Sequence, residues 1–232
     1  MLLKEETPDY SGRTASARAV RQACQIQQGS YPGYPGQNIR LMDDPATTWS
    51  KQRINPGNFC GQPNNWTCGS AVYVMILRVA AGLEVDFNIA VKITGATKKT
   101  GTDNLLLYQA FEKLGSDFDI QPSPSEPQTT ADQTLLSTGF SSPGLIKIKQ
   151  LLLDGYHIVV NFRGPVRGNG HYAIVNGINS TAIELTDPWY GRRSVLELNR
   201  FDWRSGFSDP VLHEWFVAVR RHPGLDKSYF SG

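Results

Sequence analysis

From Cys68 to Ala81 apolar side chains run almost all the way round a helical wheel, at Ala71, Val72, Val74, Met75, Ile76, Leu77, Val79, Ala80 and Ala81. A helix that is apolar on every side belongs inside a protein, and Gly82 stands where a terminating residue belongs, so the pattern predicts a buried central helix. Two more helices are expected at Asp86 to Ile93 and Asp103 to Leu114, each opened by an aspartate able to cap free N–H groups and each followed by glycine. Ser142-Pro143 can open a fourth, ending near Asp154-Gly155. After that the texture changes to alternation rich in β-branched and aromatic residues. His157 to Phe162, His171 to Asn176, Ala182 to Thr186, Ser194 to Leu198 and Leu212 to Arg220 read as strands. Helices first and strands afterwards predict an α+β fold with a mostly antiparallel sheet.

The flanks carry weaker patterns. Residues 1–50 are small and polar, hold the turn-prone Tyr31-Pro32-Gly33-Tyr34-Pro35-Gly36, and show helical periodicity only around Ala15 to Ile26. They read as an N-terminal extension with one short helix. The expected organisation is that extension, one domain over 51–222, and a tail at 223–232. Gln121 to Pro143, rich in Pro, Ser and Thr, reads as a surface connection between the helical and strand-rich halves.

Composition narrows the function classes. With 40% hydrophobic and 19% charged residues the chain is of ordinary globular type. The net charge of +2 comes from scattered short basic pairs such as Lys98-Lys99, so no nucleic-acid partner is expected. The apolar run 71–81 is broken by Arg78 and is too short to span a bilayer, so no membrane insertion is expected. The opening Met1-Leu2-Leu3-Lys4-Glu5-Glu6 turns polar before a secretory signal can form. A cytoplasmic location, or export by a machine that needs no signal peptide, is therefore expected. Cys24, Cys60 and Cys68 are odd in number and irregularly spaced, which argues against a disulfide framework and leaves a thiol free in any pairing. There is no CxxC and no paired-histidine spacing, so neither a metal nor another cofactor is expected.

Cys68 draws attention through its place at the first turn of the central helix. A thiol becomes a nucleophile as the thiolate, and a helix N-terminus with a nearby imidazole favours that form. Taken alone, a free cysteine is more often a small core residue. Gln62 shifts the balance, because a side-chain amide close upstream can join the Cys68 backbone N–H in donating to a developing oxyanion. Cys60 is followed by loop-forming Gln62-Pro63-Asn64-Asn65 and reads as an incidental or structural thiol. Of the four histidines, His157 and His213 lie inside predicted strands and His222 precedes a terminal proline. His171 instead follows Arg167-Gly168-Asn169-Gly170 and opens a strand. That strand runs into the turn Gly177-Ile178-Asn179-Ser180 and returns to Asp187. Symmetry about Asn179 would make His171 and Asp187 direct cross-strand partners, close enough for the carboxylate to orient the imidazole.

Gln62-x5-Cys68-Gly69-Ser70-Ala71, Gly170-His171-Tyr172-Ala173-Ile174-Val175-Asn176-Gly177 and Asp187-Pro188-Trp189-Tyr190-Gly191 together resemble the papain-like cysteine peptidase superfamily. Within it they are most similar to the bacteriocin-processing branch, which cleaves leader peptides after a double glycine, and to bacterial effector proteases of similar layout. Thr67 stands where that branch commonly carries Asp. The resemblance implies a papain-like fold, a peptide or protein substrate, Cys68 as nucleophile, His171 as general base and acid, Asp187 as orienter and Gln62 in the oxyanion hole. Trp66, Gly69, Gly170 and Trp189 beside these motifs are expected to line the substrate cleft. Two other outcomes use the same residues: a transglutaminase-like acyltransferase and a catalytically silent peptide-binding domain.

Overall fold

The apolar segment after Cys68 forms helix α1 (Cys68–Ile76), with every residue buried. It continues without a break into a wider π-helical turn, Leu77–Ala81, which ends at Gly82 in the left-handed conformation with φ 69°. The one charge in this stretch is put to structural use. Arg78 is buried, pairs with Glu84 at 3.0 Å and donates to the Phe59 carbonyl at 3.2 Å, bracing the chain that leads to Cys60 and Gln62. The computed structural model describes residues 41, 44–51, 53–122, 143–163, 170–201 and 214–222.

Three more α-helices occur among the described residues: α2 (Phe87–Ile93), α3 (Asn104–Glu112) and α4 (Pro143–Leu153). The Asp86 carboxylate accepts from the Asn88 and Ile89 N–H groups, and Asp103 does the same for Leu105 and Leu106. Each cap satisfies donors that a helix start leaves free and stabilises by about 1 kcal/mol.

Among the described residues seven strands form one antiparallel sheet: β1 (Thr48–Trp49), β2 (Phe118–Pro122), β3 (His157–Arg163), β4 (Gly170–Ile178), β5 (Ala182–Asp187), β6 (Gly191–Glu197) and β7 (Phe216–Arg221). The order is β2-β7-β3-β4-β5-β6, and β1 pairs with Gly177 and Ile178 at the far end of β4. Trp49 of β1 lies where a side chain at residue 177 would project, so only glycine fits there.

Both faces of the sheet are covered. One carries α1, α2 and α3, whose Tyr73 and Phe111 rings meet at 5.1 Å and pack with Val159, Tyr172 and Val217 of the sheet. The other carries α4, whose Ile148, Leu151 and Leu152 pack with Ile158, Val160 and Ala173. This explains why β3 and β5 are buried along almost their whole length, whereas β6 at the margin alternates between buried and more exposed positions. Each fully buried large apolar side chain contributes roughly 1.5–3 kcal/mol. The layout is the α+β arrangement expected from the pattern.

Several local expectations are corrected. Phe118–Pro122 is a strand at the end of the sheet order, so Gln121 and Pro122 belong to the sheet; proline is tolerated at such an edge. The last strand begins at Phe216, because Glu214 adopts a left-handed turn with φ 66°. Cys60 is no thiol: it is disulfide-bonded. The short helix expected at Ala15 to Ile26, residues 123–142 of the connection and the loop Arg167 to Asn169 lie outside the described residues. Among the described residues no helix is long and apolar enough to cross a membrane.

Candidate active site

Cys68 is the first residue of α1 and is a free cysteine, buried among apolar neighbours. The loop before it is prearranged by short-range hydrogen bonds. The Asn64 side-chain oxygen accepts from the Trp66 N–H and the Thr67 hydroxyl, both at 3.1 Å, which turns the chain into the helix. Gln62 is buried, and its Nε2 donates one hydrogen to the Asn64 carbonyl at 2.6 Å and keeps a second. The Gln62 main-chain N–H donates to the Pro188 carbonyl at 3.0 Å, tying this loop to the residue after Asp187.

The other half of the site comes from β4 and β5. His171 Nε2 lies 2.8 Å from Asp187 Oδ1. Asp187 is fully buried, and the same oxygen accepts the N–H groups of Trp189 at 2.7 Å and Tyr190 at 3.0 Å. These donors compensate the burial of the carboxylate and fix its direction. Burial disfavours charge on His171, but the Asp187 carboxylate and the Cys68 sulfur, each a hydrogen-bond partner of the ring, outweigh it and lift the pKa from 6.5 to about 10. With Nε2 committed to Asp187, Nδ1 is the ring nitrogen left for the sulfur. The edge of Phe162 packs on the imidazole at a centroid distance of 5.7 Å.

The structure thus brings Cys68, His171 and Asp187 together, but by a different register from the one symmetry predicts. His171 and Asp187 are not direct cross-strand partners. The ladder pairs Ile174 with Thr186 and Val175 with Leu185, and then shifts to pair Gly177 with Glu184 and Ile178 with Ile183. The turn lies later than expected, headed by Asn179, whose side-chain oxygen accepts from Thr181 and Ala182. Continued toward its open end, the ladder sets residue 189 opposite His171, two places past Asp187. A two-residue offset keeps both side chains on one face, and a diagonal neighbour is within reach of a histidine.

The remaining expected site residues are placed as follows. Trp66 and Trp189 are half-buried, and Gly170 opens β4 opposite Arg163. Gly69, expected in the cleft, faces inward: a Cβ there would overlap the Thr102 side chain. Its glycine serves close packing between α1 and the segment leading into α3. That segment also receives Tyr172, whose hydroxyl lies 3.1 Å from the Thr102 carbonyl and 2.6 Å from Asn104 Oδ1, so its single hydrogen serves either. Burial, with Cys68 and Asp103 adding to it, raises the Tyr172 pKa well above 10.0, so this phenol is a fixed donor beneath α1. Of the other histidines, His157 is held neutral by burial, its pKa lowered to about 4, and His222 is exposed. His213 lies outside the described residues.

Asn64 and Asn176 were not singled out by the sequence. Asn64 had a local signal, an Asn three residues before the helix, as in an Asx turn. Asn176 had a contrary one, an asparagine closing an apolar strand. Among the described residues no group of three His, Cys, Asp or Glu side chains is placed to hold a metal ion.

No family model matches the chain, and no curated protein matches it. Solved structures similar to it include the peptidase domain of Streptococcus ComA, a bi-functional ABC transporter involved in a quorum-sensing pathway. That likeness has 20% identity and a TM-score of 0.40 and covers 68% of this chain and 93% of that one. A double glycine motif protease from an AMS/PCAT transporter, solved with its leader peptide, is similar at 14% identity and a TM-score of 0.44, covering 75% of this chain and 96% of that one. A structure described as a C39-like peptidase from Bacillus anthracis is similar at 12% identity and a TM-score of 0.48, covering 75% of this chain and 98% of that one. These three structures are described as peptidases or peptidase domains.

Proposed function

We propose that this protein is a cysteine peptidase acting through Cys68, His171 and Asp187. The observation that carries the proposal is the continuous chain from a fully buried carboxylate, through the imidazole it fixes at 2.8 Å, to a free thiol at the start of a buried helix. Such a chain favours the proton on the imidazole, whose pKa is raised to about 10, and so equips the sulfur to act as a nucleophile. The sulfur attacks the scissile carbonyl carbon, and the oxyanion that forms takes hydrogen bonds from the Cys68 backbone N–H and the second Gln62 amide hydrogen. First-turn N–H groups have no intrahelical partner, so the Cys68 amide is available for this. His171 then gives its proton to the leaving amine, and the C–N bond breaks to leave a thioester on Cys68. His171 next takes a proton from water, whose hydroxyl displaces the sulfur and releases a carboxylate product.

Transglutaminase-like acyl transfer differs only in the nucleophile that resolves the thioester, and no observation of the site favours it. A silent peptide binder has no chemical use for a buried carboxylate that orients an imidazole beside a thiol.

The test is incubation with a library of proteome-derived peptides, read by mass spectrometry, for the wild type and Cys68→Ala. Cleavage by the wild type alone is expected. A leader-processing peptidase confines cuts to the bond after a glycine pair, whereas an effector protease of other specificity does not. A wild type that cuts no peptide, or a Cys68→Ala variant that cuts as well, overturns the proposal.

A further inference from the structure

Strands β4 and β6, which flank β5, each carry one residue more than β5 over the same stretch. In β4, Asn176 is the extra residue between the Val175–Leu185 and Gly177–Glu184 pairs. In β6, two residues stand between Gly191 and Ser194, whereas their β5 partners Asp187 and Leu185 have only Thr186 between them. The two irregularities lie side by side, and the Asn176 side chain joins them. Its Nδ2 reaches across β5 to donate to the Arg192 carbonyl at 3.0 Å, and lies 3.5 Å from Glu184 Oε1. The Thr186 hydroxyl lies 3.1 Å from Asn176 Oδ1 and 3.0 Å from the same Arg192 carbonyl, so its single hydrogen serves either. The Asn176 carbonyl accepts the Ser50 N–H at 2.7 Å. Asn176, Thr186 and Glu184 are all buried, so these bonds are shielded from competing water.

The extra residue decides which side chains share a face. Starting from the turn, an unbroken ladder would pair Asn176 with Leu185, Val175 with Thr186 and Ile174 with Asp187. His171 would then stand opposite Tyr190, and Asp187 would project from the other face of the sheet, since a one-residue slip reverses every side chain. By standing outside the ladder, Asn176 shifts the pairing by one and returns His171 and Asp187 to a common face. A bulge re-aims side chains in this way and is found beside active sites.

We infer that Asn176 is a positioning residue: its buried amide locks paired bulges in β4 and β6, and this sets the register in which the His171 imidazole meets the Asp187 carboxylate. The inference rests on the peptidase reading only for its catalytic consequence; the register itself is read directly. Asparagine suits the position because one side chain supplies both a donor for the Arg192 carbonyl and an acceptor for Thr186, which no apolar strand former can do.

The experiment compares the wild type with Asn176→Val, Asn176→Thr and a deletion of residue 176. The readout is proton NMR of the far-downfield imidazole N–H that a histidine shows when it donates to a buried carboxylate, with Asp187→Asn as the negative control. Valine and threonine favour strand and lack the amide, so they admit residue 176 to the ladder. The downfield resonance is expected to vanish in folded protein, with a fall of about 10²-fold in kcat, the scale of a small misplacement of reacting groups. Threonine is read in the same way should valine prevent folding. Deleting residue 176 leaves 177 with 184 and 175 with 185 as consecutive pairs, so the resonance is expected to persist. That result has no explanation if the asparagine acts only as generic packing. Folded point variants that keep the resonance overturn the inference and leave the peptidase proposal intact. A wild type with the resonance but without peptide cleavage overturns the peptidase proposal, and loss of that resonance in the point variants still supports the inference.

Discussion

The turn that delivers Cys68 and the hairpin that joins His171 to Asp187 are built by different means. From Gln62 to Cys68 the side-chain hydrogen bonds are local, Gln62 to Asn64 and Asn64 to Trp66 and Thr67, with the main-chain bond from Gln62 to Pro188 as a long-range tie. The hairpin depends on which residue faces which over a separation of 16 positions, and that is decided by a bulge pinned across three strands. Local construction tolerates small errors, because each bond fixes its own neighbour. Register is all-or-none, since one residue more or less sends a side chain to the opposite face. The hairpin is therefore the half of the site where a single change costs most.

Asp187→Asn gives the largest effect expected on the proposed activity. The amide keeps the shape but loses the charge that holds the imidazole protonated, and by analogy with triads in general kcat should fall about 10³–10⁴-fold. The pH dependence of Cys68 alkylation by iodoacetamide checks it: the variant's profile is expected to differ from that of the wild type, because the His171 imidazole loses the carboxylate that raises its pKa to about 10. An unchanged alkylation profile would break the claim that the hairpin governs the thiol. Gln62→Ala tests the other half. It removes one proposed oxyanion donor, worth about 10²–10³-fold in kcat, while the alkylation profile stays as in the wild type because no transition-state oxyanion forms in that reaction. A shifted profile would show that the two halves are not separable.

Two histidines on adjacent strands sharpen the contrast through stability. The His157 pKa is lowered from 6.5 to about 4 by burial, so its contribution is complete above pH 6.5 and is lost as pH falls toward 4. At ~1.4 kcal/mol per unit this amounts to of order 3 kcal/mol. The His171 pKa is raised to about 10, so its contribution is complete below pH 6.5 and fades as pH rises toward 10. Urea unfolding of His157→Gln should show a flattened acid limb between pH 6.5 and 4 with the alkaline limb unchanged, and His171→Gln the reverse. Steep acid loss in His157→Gln would exclude burial of His157 as its cause. The smallest effect is expected for Gly69→Ala, where the new methyl meets Thr102 and overpacking costs about 1–3 kcal/mol, read as a lower Tm.

These two constructions also differ in how far the sequence discloses them. The start of α1 at Cys68, the stop at Gly82 and the aspartate caps of α2 and α3 are all readable, because each is encoded by residues within a turn of where it acts. The strand-rich second half is readable as a class from its β-branched content. Its register is not, because Asn176 stands out of the ladder through bonds to Thr186 and Arg192 that exist only once β5 and β6 have paired. The symmetric hairpin reaches the same pair of residues through the wrong partners, since its error is an even number of places and the face is preserved. Phe118–Pro122 escapes notice for a different reason: Phe118, Asp119, Ile120 and Gln121 do alternate, but the run is short, ends in proline and merges into the Pro/Ser/Thr-rich connection, and pairing with β7 is what places it in the sheet. The odd cysteine count likewise conceals that Cys60 is bonded while Cys68 is free.

The main-chain bond from Gln62 N–H to the Pro188 carbonyl has a practical consequence for anyone re-engineering the site. This tie between the Cys68 side and the hairpin uses no side-chain atom of residue 62, so a designer can exchange that side chain without unfastening it. Residue 62 is in effect a socket: the backbone supplies the fixture, and the side chain is the replaceable part.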